Sequence, residues 1–174
     1  MLAQVPARPH LIAARMADGN PATRLIAVDP GTGSQSILPR FTGDDLAPLA
    51  IALDPIDGQA VVALDTAAGS TRIVRVAVEG LSLGARALCE VPGKIADLLV
   101  ADDWLYLAAD EVQAGVLRLP RRGGAVESVF THPHVTALAI SHAHPGAIVA
   151  GWSGRAFTAR SEEHTFELQS QFRI

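Results

Sequence analysis

The stretch that decides the fold is LAIALDPIDGQAVVALD, at residues 49–65. Leu49, Ile51 and Leu53 alternate with the small residues Ala50 and Ala52, which is the period of two typical of a β-strand. A DPIDG turn follows, and after it comes a second apolar run, AVVAL, that starts at residue 60. Aspartate, proline and glycine all favour tight turns. The pattern therefore predicts two antiparallel strands joined by a short turn.

Similar stretches recur along the chain. IADLLVADDWLYLAAD at residues 95–110 and VTALAISHAHPGAIVAG at residues 135–151 both have a strand–turn–strand pattern. A second set, TRLIAVDPGTG, TRIVRVAVEG and GVLRLPRRGG, begins at residues 23, 71 and 115. The repeat distance is about 40 to 48 residues, with about four short strands in each unit, which is typical of a propeller blade. We predict an all-β fold, an incomplete β-propeller of about three to four four-stranded blades at residues 9–43, 46–91, 94–131 and 134–159.

Composition excludes several classes of protein. The chain has 174 residues, of which 49% are hydrophobic and 18% charged, so it is expected to fold. Its net charge of −4 argues against a nucleic-acid partner, and no apolar run is long enough to span a membrane. One cysteine, Cys89, excludes a disulfide framework. No signal peptide is visible at the start of the sequence, and no cellular compartment is predicted. The sequence does not show whether Met1 is the true start of the protein.

The end of the chain has an unusual sequence. RSEEHTFELQS, at residues 160–170, resembles the translation of a standard Illumina sequencing adapter and differs from it at Phe166. The alternative is a short natural polar helix, because glutamate, leucine and glutamine are acceptable helix formers. We expect residues 160–174 to be a non-native tail, and residues 1–159 to be part of a longer propeller. Expressed alone, that part is expected to associate through its open strand edges.

The pattern of the second unit resembles a known family. Its apolar strand, D-P-x-D-G turn, second apolar strand and R-I-x-x-V run, within residues 49–78, are similar to the repeats of NHL and SMP-30/gluconolactonase propellers. That resemblance implies the fold and, as one possible activity, metal-dependent hydrolysis of sugar lactones. In the lactonases, glutamate, asparagine and aspartate side chains hold a divalent ion. The chain has a single asparagine, Asn20, outside the inner loops, so no cofactor is evident and a divalent metal belongs only to this alternative.

Candidate site residues follow from the expected architecture. Propellers bind ligands at one face, built from loops that enter the innermost strands and loops that join the second and third strands. The polar or aromatic residues of the corresponding loops are Asp65, Asp110, Glu111, His132, His134 and Trp152. The alternative for each is a solvated loop residue, because loops lie at the surface whether or not they function. A binding module for a small molecule or a protein is the favoured function, a lactonase is the alternative, and catalysis itself stays open.

Four histidines suggest a metal site, but the distance between the two pairs argues against a site that contains all four. His132 and His134 form one H-x-H pair, and His142 and His144 form another. The intervening segment reads as a strand of about 26 Å, which separates the pairs to opposite ends of a blade. Each pair lacks a third ligand nearby in sequence, so histidines at turns or rims are favoured and no metal site is predicted. Arg121 and Arg122 are interpreted as a charge pair in a turn.

Overall fold

The structure, a computed structural model, describes residues 10–15, 23–29, 31–37, 45–79, 82–110, 115–141, 147–152 and 155–160. These residues form strands and turns, and they contain no helix. No helix in this part has the length and apolar character needed to cross a lipid bilayer. The prediction of an all-β chain is confirmed. Of the proposed tail, at residues 160–174, Arg160 is the last residue of a described strand, and residues 161–174 lie outside the described residues.

The described residues form four antiparallel sheets that follow one another along the chain. The first contains β1 (His10–Arg15), β2 (Thr23–Val28) and β3 (Gln35–Ile37). The second contains β4 (Asp45–Leu53), β5 (Ala60–Thr66), β6 (Ser70–Glu79) and β7 (Ser82–Pro92). The third contains β8 (Ile95–Ala101), β9 (Trp104–Ala109), β10 (Gly115–Pro120) and β11 (Glu127–Phe130). The fourth contains β12 (Val135–Ile140), β13 (Ala147–Trp152) and β14 (Arg155–Arg160).

The sheets contact one another mainly through their first strands. Strand β4 lies against β8, β8 lies against β12, and β1 and β2 lie against β4. Within each sheet the strands pair in chain order, so each sheet is a simple meander. First strands side by side and meanders extending outward are the arrangement of successive propeller blades. The chain therefore has the architecture of an incomplete propeller.

Apolar side chains fill the spaces between adjacent sheets. On β9, Leu105 and Leu107 join the core shared with the second sheet, whereas Tyr106 and Ala108 join the core shared with the fourth. The side chains of β5 are shared between two cores in the same way, with alternate residues in each core. A strand covered on both faces has no polar side, which explains why AVVAL and LYLAA read as continuous apolar runs.

An aspartate joins the third sheet to the fourth. A β-bulge between Ile95 and Asp97 interrupts the pairing of β8 with β9. Asp97 accepts a hydrogen bond from its neighbour Leu98 N–H at 2.8 Å, and its other oxygen accepts one from Leu138 N–H of β12 at 2.8 Å. The carboxylate therefore links the first strands of two adjacent sheets.

Cys89 of β7 packs at the edge of the core between the second and third sheets. Burial raises the pKa of its thiol from 9.0 to about 11. Because the thiolate is the reactive form, we expect an aromatic disulfide reagent at pH 7.5 to label the folded protein about a hundredfold more slowly than the unfolded chain. The same labelling in 6 M guanidinium chloride is the control. Equal rates in the two solutions would show that the thiol is accessible and ordinary.

Candidate functional site

The meander connections divide the molecule into two faces. We call the face that carries the turns β5–β6, β7–β8, β9–β10 and β11–β12 the entry face. The turns β4–β5, β8–β9 and β10–β11 lie on the opposite face. Antiparallel strands place alternate connections at opposite ends of a sheet. Of the loops chosen from the sequence, those that the structure describes belong to the entry face.

Two of the predicted residues meet on the entry face. His134, in the turn before β12, lies with Nδ1 2.9 Å from Asp110 Oδ1, which follows β9. The side chains are 53% and 46% exposed, respectively. A carboxylate only accepts hydrogen bonds, so the histidine Nδ1–H donates, and in the neutral ring Nε2 is left as an acceptor. The pair spans the third and fourth sheets and leaves polar atoms accessible to solvent.

The turn before β12 separates the two histidines of the first H-x-H pair. The ring of His132 stacks on Phe130, with centroids 5.8 Å apart, and its Nδ1 lies 2.8 Å from Pro133 O. His134 has a positive φ of 56° and turns instead to Asp110. Within the described ranges no three histidine, cysteine, aspartate or glutamate residues are grouped to hold a metal ion. His142 and His144 lie outside those ranges.

Two further predicted residues, Asp65 and Trp152, lie within strands. Asp65 is a half-buried residue of β5, opposite Thr71 of β6. Trp152 ends β13, where its backbone pairs with Val135 and Arg155. Glu111 lies outside the described residues. Asp65, Glu111 and Trp152 therefore stay predictions.

The entry face has a second polar group, which the sequence analysis missed. Ser70 Oγ donates to Glu90 Oε1, and it lies 2.8 Å from Thr66 Oγ1. Arg72 lies 3.6 Å from the same glutamate. These residues lie at adjacent ends of β5, β6 and β7. The alternation of β6 and β7 is the sequence signal for this group, because the pairing of these two strands places Glu90 opposite Arg72 and close to Ser70.

The opposite face contains a cluster of arginines around a buried carboxylate. Asp54, which is 0% exposed, accepts hydrogen bonds from Arg75 Nη1 at 2.9 Å and from Arg121 Nη1 at 3.0 Å. The Ile56 N–H also donates to it at 3.0 Å. Burial raises the pKa of Asp54, but the Ile56 N–H and the two guanidinium groups lower it more, so the net pKa is below 3.8. Asp54 is therefore an ionised group of the folded core.

This cluster joins the second sheet to the third and borders a cavity. Arg75 also donates to Asp57 at 2.6 Å and to the Arg121 carbonyl at 2.7 Å. A cavity of about 370 Å³ is lined by Ile56, Asp57, Gln59, Arg75, Arg86, Arg121 and Arg122. The sequence signals for the cluster are the DPIDG and RRGG turns, but Asp54 and Arg121 are 67 residues apart in the chain. The structure adds a role for Arg121 as a link between sheets.

No protein-family model and no curated protein matches this chain.

Proposed function

We propose that this protein is a binding module whose entry face takes a small polar ligand or a protein segment. The observation that supports it is the Asp110–His134 pair, with its 2.9 Å contact between two sheets. A fixed partner orients the imidazole, and the pair offers a carboxylate and a ring nitrogen to a ligand hydroxyl or amide. A few polar groups placed by a rigid scaffold at the mouth of a fold are typical of binding sites.

A ligand screen tests the proposal directly. Sugars, sugar acids and polyols are screened against the whole chain by thermal shift, and each hit is measured again with His134→Ala and with Asp110→Ala. We expect each variant to weaken a hit by about tenfold, which is the loss of one hydrogen bond to a charged group. The control is Glu127→Gln, an exposed residue at the start of β11 on the opposite face, which is expected to leave affinity unchanged.

The same screen separates the proposal from the lactonase alternative. Glucono-1,5-lactone is incubated with the protein and Ca²⁺, Mn²⁺ or Zn²⁺ in turn, and hydrolysis is compared with the metal alone. We expect no turnover above that background and no ion retained at one per chain. Metal-dependent turnover would replace the binding module with an enzyme. Hits that bind both variants as tightly as they bind the original protein would place the site away from this pair.

A further inference from the structure

The charges around the cavity on the opposite face do not cancel. Four arginines line it, namely Arg75, Arg86, Arg121 and Arg122. Asp57 also lines it, and the buried Asp54 lies behind it. Together these six residues carry two positive charges in excess. The chain as a whole is negative, so this positive charge is a local feature that the overall composition hides.

Two of these arginines are not neutralised within the described part of the chain. The two aspartates are occupied by Arg75 and Arg121. Arg86 donates to the carbonyl of Arg122 at 2.7 Å, and neither Arg86 nor Arg122 has a carboxylate within ion-pair distance among those residues. Both are exposed, so each has N–H groups available to a ligand.

A second observation points to a missing acceptor. The Arg121 side chain is 11% exposed, and its Nε is buried without a hydrogen-bond partner in the described structure. Buried donors of this kind are rare, because leaving one unpaired costs free energy. Arg121 also lines the cavity, so an anion bound there would lie against the guanidinium group that carries this unpaired donor.

We infer that this cavity is a binding site for a phosphate group, either free or carried by a small molecule. Guanidinium groups bind tetrahedral and planar oxyanions through paired N–H donors. A phosphate monoester carries nearly two negative charges at neutral pH, which balances the excess in the cavity, whereas a single carboxylate leaves one positive charge. The volume of about 370 Å³ lies in the range of small-molecule sites. The site belongs to the opposite face and does not depend on the function proposed for the entry face.

Isothermal titration of the whole chain with inorganic phosphate in a chloride buffer tests the site. We expect saturable binding at one phosphate per chain, weakened about tenfold or more in the double variant Arg86→Gln/Arg122→Gln. Both side chains are exposed and lie outside the Asp54 network, so the variant is expected to fold, which circular dichroism checks. The matched control is Arg118→Gln, which removes the same kind of charge from a residue that pairs with Glu127 and Trp104.

Titrations with two further compounds identify the source of the phosphate group. Glucose 6-phosphate is compared with inorganic phosphate and with glucose. Tighter binding of the ester indicates a phosphorylated small molecule, and equal binding of ester and phosphate indicates the free anion; either result supports the site. No saturable binding up to about 10 mM, or an equal loss in the double variant and in Arg118→Gln, would overturn it.

Discussion

Replacing Gly115 with alanine is expected to lower the free energy of unfolding by about 3 kcal/mol. Gly115 has a φ of +72°, where a side chain is strained. An added Cβ would lie 2.1 Å from Phe130 O and 2.5 Å from His132 N. Both are backbone atoms of the adjacent strand and turn, so no side-chain rotation relieves the contact. Urea unfolding followed by tryptophan fluorescence measures the loss.

Gly69→Ala is the matched control for this change. Its φ of +78° is nearly the same, but no atom lies within 4 Å of the added Cβ. We expect only the conformational cost there, about 1 kcal/mol. The Gly115 variant is also expected to displace the turn that holds His132, and with it the contact between His134 and Asp110. Equal losses in the two variants would show that the close approach to β11 contributes nothing.

The second large effect is expected at the buried carboxylate. Asp54→Asn removes the charge that faces Arg75 and Arg121, so Arg75 keeps only Asp57 as an ion-pair partner and Arg121 keeps no carboxylate within the described part of the chain. The expected loss is about 3 kcal/mol in the free energy of unfolding. Asp57→Asn is the control, because its side chain is 42% exposed and its ion pair is screened by water, so about 0.5 kcal/mol is expected. Similar losses in both variants would contradict a special role for Asp54.

The same carboxylate predicts how stability depends on pH. The pKa of Asp54 is lower in the folded state than the 3.8 of the unfolded chain. Its contribution is therefore complete above about pH 4 and is lost as the pH falls through the lower, folded-state pKa. We expect unfolding free energies measured between pH 6 and pH 2 to fall less steeply for Asp54→Asn than for the original protein. Parallel curves would assign the acid sensitivity to other groups.

The sequence was a good guide to the strands because their chemistry is local. The alternation at Leu49, Ile51 and Leu53 and the repeated turns predict strands, and β4 and β5 lie where the pattern places them. The two-faced burial of β9 was not predicted, since it depends on a second sheet packing on each side. Period two alone does not reveal whether one face or both are covered.

The candidate sites depended on distances that sequence does not contain. Asp110 and His134 were both predicted from their loops, yet their contact needs the third and fourth sheets at a particular spacing. Arg121 was interpreted as one of two charged residues in a turn. Nothing near it in the sequence shows that its partner, Asp54, lies on another sheet. Residue type and loop position can be read from a sequence, whereas pairings between sheets come from packing.

The bulge that precedes Asp97 limits where this chain can change its length. Removing one residue from β8 would turn every later side chain of that strand to the other side of the sheet, and the carboxylate would no longer reach the Leu138 amide. An extra residue in the turn between β10 and β11 has no such effect on strand direction. The separation between two neighbouring sheets is thus encoded in the residue count of a single strand, and natural variation in length is expected to accumulate in the turns.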